Sequence, residues 1–332
     1  MASLISVAGE APQGAHRLPQ LPWRGLAAGA AWLALAGATR LLPEDGDFPY
    51  TAAFAGAALA LALALPVASA LAGRLGRIGA ALSHWTPWLT ALALAFLAWE
   101  LVTAKSGLLP MPFFPPPQAI LEVFLEDWPK LGGSILASLK LLLGGYLIGA
   151  SLGFAAGVAI GWSKAVGYWA HPVLRFVGPL PATAWLPLAF FVFPSSWSAS
   201  TFLVALATGF PVTVLTWSGV AGVNKAYFDV ARTLGATPRF LVLRVAIPAA
   251  LPHVFVGLFM GLGGSFAVLV VAEMLGVKSG LGWYLQWAQG WAAYANLYAA
   301  LIVMALMCSG LITLLFRLRD RVLSWQKGLV QW

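Results

Sequence analysis

Long apolar runs separated by short polar joints organise this chain. A helix needs about 20 mostly apolar residues to cross the hydrocarbon core of a bilayer. By that measure the pattern predicts eight spans, at 24–42, 51–73, 86–104, 134–161, 176–194, 199–222, 246–274 and 295–316. The first two are rich in Ala and Leu and nearly featureless. The run 176–194 is interrupted by Pro179, Pro181 and Pro187, tolerable in a span only where neighbours or water satisfy the freed carbonyls. Between the third and fourth spans, Pro110-Met-Pro-Phe-Phe-Pro-Pro-Pro117 cannot continue a helix. It reads as an outer-face linker, followed by a short amphipathic stretch from Gln118 to Trp128.

Composition fits these runs. Of 332 residues, 61% are hydrophobic and 9% charged, against about 45–50% and 25% in soluble domains; the mean hydropathy is +0.85. A soluble domain could not hide so many apolar side chains. An ordinary cytosolic enzyme, a disordered regulator and a disulfide scaffold are excluded, and an all-α polytopic membrane protein is expected. The lone Cys308 can form no intramolecular disulfide. The first apolar run begins only near Leu26, so residues 1–21 do not read as a cleavable signal peptide.

Charge then orients the chain. With the N-terminus inside, the inner segments hold fourteen of the nineteen Lys and Arg residues, while the outer ones hold Glu44, Asp45, Asp47, Glu122, Glu126 and Asp127. Excess positive charge stays cytoplasmic, so both termini are expected inside. The net charge of +8 is spent on this asymmetry; no basic, aromatic-interleaved soluble face exists to hold a nucleic acid.

Catalytic constellations are scarce. His16, His84, His171 and His253 fall in different segments, none at metal-ligand spacing. There is no phosphate-binding loop, no H-E-x-x-H and no G-x-S-x-G. Glu100 and Glu273 lie near predicted outer ends, where a carboxylate can reach the interface; an interfacial place is expected for Glu100, and Glu273 stands between that and the transport path. Lys140, near the outer start of the fourth span, could attract an anion or simply snorkel. Gly145, Gly149, Gly153, Gly157 and Gly161 recur every four residues and form one stripe that lets another helix approach closely.

The loop 223–247 carries the most information. Asn224 is a plausible N-cap for a short helix from Lys225 to Leu234, with Phe228, Ala231 and Leu234 on one apolar side and Lys225, Asp229 and Arg232 elsewhere. Gly235 ends it as a C′ glycine would. A second short helix is expected to break at Pro248 and Pro252. Such an element could anchor on the membrane surface, plug the chain itself or dock a cytosolic partner.

The run Asp229-Val-Ala-Arg-Thr-Leu-Gly235, followed by Ile247-Pro248 and Leu251-Pro252, resembles the E-A-A-x-x-x-G…I-x-L-P signature of binding-protein-dependent ABC transporter permeases. Ala272-Glu-Met-Leu-Gly-Val-Lys-Ser-Gly-Leu-Gly-Trp283 is similar to the nitrate/sulfonate/taurine/bicarbonate branch, as are Pro115-Pro-Pro-Gln-Ala-Ile120 and Val177-Gly-Pro-Leu-Pro-Ala-Thr-Ala-Trp-Leu-Pro187. Asp229 and Val230 stand where the motif has Glu and Ala.

The resemblance covers roughly 86–325 and implies a type I importer permease core of six transmembrane helices, with two extra helices in 24–85, a cytoplasmic segment 1–23 and a tail 326–332. It implies a homodimer in the bacterial inner membrane, two cytosolic ATPases that bind ATP and Mg, and an outer solute-binding protein; this chain would hold no cofactor or metal. Lys225, Phe228, Asp229, Ala231, Arg232, Leu234 and Gly235 would couple to the ATPase. Lys140 and Glu273 would be pathway residues for a small anion. The competing reading is a membrane-embedded enzyme or assembly factor, which a buried catalytic pair would favour.

Overall fold

A computed structural model describes residues 23–71 and 76–326. The expected segments 1–23 and 326–332 lie outside it except for Trp23 and Gln326. The helices are α1 (Trp23–Leu41), α2 (Thr51–Ala70), α3 (Gly76–Glu100), α4 (Pro117–Glu126), α5 (Trp128–Trp162), α6 (Lys164–Val177), α7 (Leu186–Val192), α8 (Ser196–Ala221), α9 (Lys225–Thr233), α10 (Pro238–Phe240), α11 (Ile247–Leu275), α12 (Leu281–Gly290) and α13 (Tyr294–Val322). No strand occurs among the described residues. Two compact units meet between Glu122 and Val123. The third span packs with the first two.

In the first unit α1 lies between α2 and α3. Gly29 lets α1 touch α2: a Cβ there would come within 2.8 Å of the Ala62 carbonyl. Ala28, Trp32 and Leu35 of α1 meet Ala58, Ala62 and Leu65 of α2 and Ala93 of α3 in one apolar cluster. The expected span 24–42 forms as α1, but Arg24, Arg40 and three glycines leave it outside the six helices apolar enough to cross a membrane.

Glu100, expected to reach the interface, is instead fully buried within the protein. Its Oε1 accepts from Gln118 Nε2 at 3.3 Å and lies 3.7 Å from Lys105 Nζ. Lys105 also pairs with Glu44 at 3.0 Å and donates to the Thr39 and Leu42 carbonyls. A carboxylate that finds a cation and an amide inside the protein has no need to reach the interface.

The second unit is built on α5 and α8. Gly145, Gly149, Gly153, Gly157 and Gly161 lie in order against Val204, Ala205, Gly209, Thr216 and Val220, so the two helices run parallel. Against α8, α11 is antiparallel: Gly257 meets Val212 and Gly261 meets Thr208. Phe259 of α11 stacks on Phe316 of α13 at 5.4 Å. The unit thus has an α9 end, with Trp162, Ala221 and Phe316, and an α12 end, with Asp127, Glu273 and Asn296.

The span expected at 176–194, which three prolines interrupt, is bent and begins earlier, at Lys164. Helix α6 and the segment Ala182–Val192 meet at 86°, because Gly178-Pro-Leu-Pro181 cannot continue a helix. Since α5 and α8 are parallel, this bent pair must carry the chain from the α9 end back to the α12 end. It therefore crosses the unit. A second correction concerns Pro248 and Pro252, where no break occurs and one span runs Pro238–Leu275. The turn Leu241–Ala246 is π-helical; this wider register just before Pro248 accommodates a ring that would strike an α-helical carbonyl.

Candidate functional site

Helix α9 has both of its ends closed locally. The Asn224 Oδ1 accepts from the Ala226 N–H at 3.0 Å. At the other end the Ala236 N–H bonds to the Ala231 carbonyl at 3.0 Å and the Gly235 N–H to the Arg232 carbonyl at 2.9 Å, a Schellman motif. It requires φ of +81° at Gly235. The chain thereby leaves the helix sharply and the nine residues stand as a knob.

Its faces differ from the expected ones. Phe228 meets Trp162 edge-on at 5.9 Å and rests on Val220, Ala246 and Ala250, while Ala231 is half-buried. That side anchors α9 to its own chain. The free face carries Tyr227, Val230 and Leu234, exposed by 61%, 61% and 83%, at i, i+3 and i+7. Of the three residues assigned to the apolar docking side, only Leu234 points away. Tyr227 and Val230 were missed because a nine-residue helix with apolar residues on two sides does not say which side the chain itself covers. Lys225, Asp229 and Arg232 are exposed; Asp229 and Arg232 pair at 3.2 Å, a surface bond of little energetic weight.

Gly145, Gly149, Gly153 and Gly157 are buried against α8, and the half-buried Gly161 continues the contact. A Cβ on Gly153 would sit 2.6 Å from the Gly209 carbonyl, and one on Gly157 2.7 Å from the Thr213 carbonyl. Backbone meets backbone here, so nothing larger than hydrogen fits without separating the helices.

Beside this pair the Gly178–Thr183 kink encloses, with α8 and α11, a cavity of about 320 Å³ lined by Phe210, Pro211, Gly264 and Ala267 among others and by no charged side chain. Neither Lys140 nor Glu273 reaches it. Lys140 is exposed on the α5 face turned away from Ser138. Glu273 is buried at the α12 end, where it accepts from Ser138 Oγ at 2.7 Å and from the Gly282 N–H at 2.8 Å; Ser138 Oγ in turn accepts from the Leu281 N–H at 2.8 Å. A carboxylate held at the N-terminus of α12 satisfies its free amides and complements its dipole. Gly280, at φ +104°, lies directly over it. The two residues assigned to one pathway are thus not brought together.

Sequence reasoning also missed a polar triad at the same end. Asp127 Oδ2 accepts from Tyr284 Oη and from Asn296 Nδ2, both at 2.9 Å. Burial pushes the Tyr284 phenol up to about 12, so it remains a donor. No local pattern joins residues separated by 157 and 169 positions. Among the described residues no group of three His, Cys, Asp or Glu side chains is placed to hold a metal.

Residues 145–326 match the family described as binding-protein-dependent transport system inner membrane component. A Brucella abortus protein named "Probable ABC transporter permease protein" is 30% identical over 241 residues, 72% of this chain and 95% of that protein. The nitrate import permease protein NrtB of Synechococcus elongatus is 28% identical over 261 residues, 75% of this chain and 91% of its own. The bicarbonate transport system permease protein CmpB of the same organism is 29% identical over 192 residues, 57% and 66% of the two chains.

Proposed function

Since the chain belongs to the family of binding-protein-dependent transport inner-membrane components, and is thus a multi-pass inner-membrane transport protein, we propose that it is the permease subunit of an ATP-driven importer for a small anion. Two chains form the pathway, two cytosolic ATPases bind beneath it, and an outer solute-binding protein delivers cargo. ATP and Mg belong to the ATPases; this chain supplies motion and performs no covalent chemistry. The anion class is suggested by the nitrate and bicarbonate permeases among its relatives.

The observation that carries the reading is the α9 knob. An apolar face of Tyr227, Val230 and Leu234 left in water is the kind of surface a protein partner covers, and Phe228 ties its movement to the starts of α11 and the ends of α5 and α8. The α9 end also gathers Lys164, Lys225, Arg232, Arg239, Arg244, Arg317, Arg319 and Arg321, which supports a cytoplasmic position with both termini inside. A push on α9 is then passed to α11 and to the kinked α6–α7 crossing, whose shared cavity opens to alternate sides. Reconstituting the permease with its ATPase and binding protein tests this. ATP hydrolysis should rise several-fold with one of nitrate, bicarbonate or taurine; a complex that forms yet responds to none of a broad anion panel refutes the cargo class.

A further inference from the structure

A second, larger apolar groove of about 740 Å³ lies on the α5, α6 and α8 face of the second unit. Along α8 its lining runs from Trp197 to Thr213, a rise of about 24 Å at about 1.5 Å per residue. That exceeds one leaflet of a hydrocarbon core about 30 Å thick. At Leu174 and Phe210 the groove adjoins a pocket of about 320 Å³ whose other walls include His171, Arg175 and Trp217. His171 lies on the Trp217 ring, centroids 4.4 Å apart, and Arg175 follows one helical turn later on the same face. Trp217 is one turn from the end of α8, so this polar pocket sits at the α9 end at headgroup depth. Tyr168 and Trp169, exposed beside it on α6, are residues that favour that level of a membrane.

Charge selects the occupant. No acidic side chain lines either the groove or the pocket, and Arg175 has no ion-pair partner among the described residues. A long apolar trough that ends in an unpaired guanidinium matches an anion with an apolar tail.

We propose that groove and pocket together bind one anionic phospholipid, with an acyl chain along α5 and α8 and its phosphate on Arg175 beside His171. The groove shares Val177, Leu206 and Phe210 with the kink cavity assigned to transport, whereas His171 and Arg175 line only the pocket at its end; the choice of leaflet rests on the proposed orientation.

The full-length permease in nanodiscs of equal phosphatidylglycerol and phosphatidylcholine, with identical acyl chains, tests the proposal. After re-extraction, native mass spectrometry counts the lipid retained. The wild type should keep one phosphatidylglycerol per chain, about tenfold over phosphatidylcholine. Arg175→Gln should remove that preference about tenfold, Arg175→Lys should restore most of it, and Ala156→Phe, which fills the groove from its exposed wall, should lower retention of both lipids. Equal retention of the two lipids by the wild type would overturn the proposal. So would unchanged retention in both Arg175→Gln and Ala156→Phe. Loss of cross-linked dimer in Ala156→Phe with lipid unchanged would show that a second copy covers the groove, and would also overturn it. Substrate-stimulated hydrolysis, measured alongside, reports on the transport reading independently.

Discussion

Ala292 closes α12 with φ of +52°. The Ala293 N–H bonds to the Ala288 carbonyl at 2.8 Å and the Ala292 N–H to the Gln289 carbonyl at 3.2 Å, the same terminator that Gly235 gives α9. There, however, a side chain occupies the left-handed position. Ala292→Gly should relieve that strain and stabilise the α12 end by about 0.5–1 kcal/mol after the added unfolded-state entropy. Thermal unfolding of the detergent-solubilised chain checks this, and a lowered midpoint would count against it. Tyr284 gives a pH test nearby. Its folded phenol titrates near 12 rather than about 10, so the stability it adds is fully present below about pH 10 and is lost as pH rises toward 12. The difference in tyrosinate absorbance between wild type and Tyr284→Phe should therefore show one late-titrating phenol.

At the scale of elements, the α5–α8 seam is the most constrained contact in the second unit. Gly153→Leu must displace the Gly209 backbone, since a Cβ alone comes within 2.6 Å of its carbonyl, and overpacking of this kind costs about 3 kcal/mol. The variant should assemble poorly or melt early; normal yield and an unchanged midpoint would show the seam to be loose. Much of this was legible beforehand. Long unbroken apolar runs mark helices, because a helix satisfies its own backbone in lipid and a barrel strand would alternate apolar and polar residues, and Asn224 and Gly235 bracket α9 by their capping chemistry. The pairing of the glycine stripe with α8 was not legible, because a small-residue stripe shows close approach without naming the neighbour. Nor was the passage of α11 through Pro248, which depends on a π turn that no periodicity announces. The burial of Glu100 was not legible either, because Lys105 and Gln118 are brought to its carboxylate by the fold.

For the whole molecule, the proposed function assigns attachment to one face of α9, through Phe228, and docking to the other, through Tyr227, Val230 and Leu234. Phe228→Ala should loosen the knob from Trp162 and the α11 start, leaving ATPase bound but less responsive to substrate. Truncating the free face should instead weaken binding itself. The most direct measurement is therefore co-purification of the ATPase with a Tyr227→Ala, Leu234→Ala double variant expressed as the full complex. A buried anchor is worth about 2 kcal/mol, so losing two should remove most of the bound ATPase and with it substrate-stimulated hydrolysis, while the permease remains in the membrane. Full retention of the ATPase with normal uptake would contradict the account.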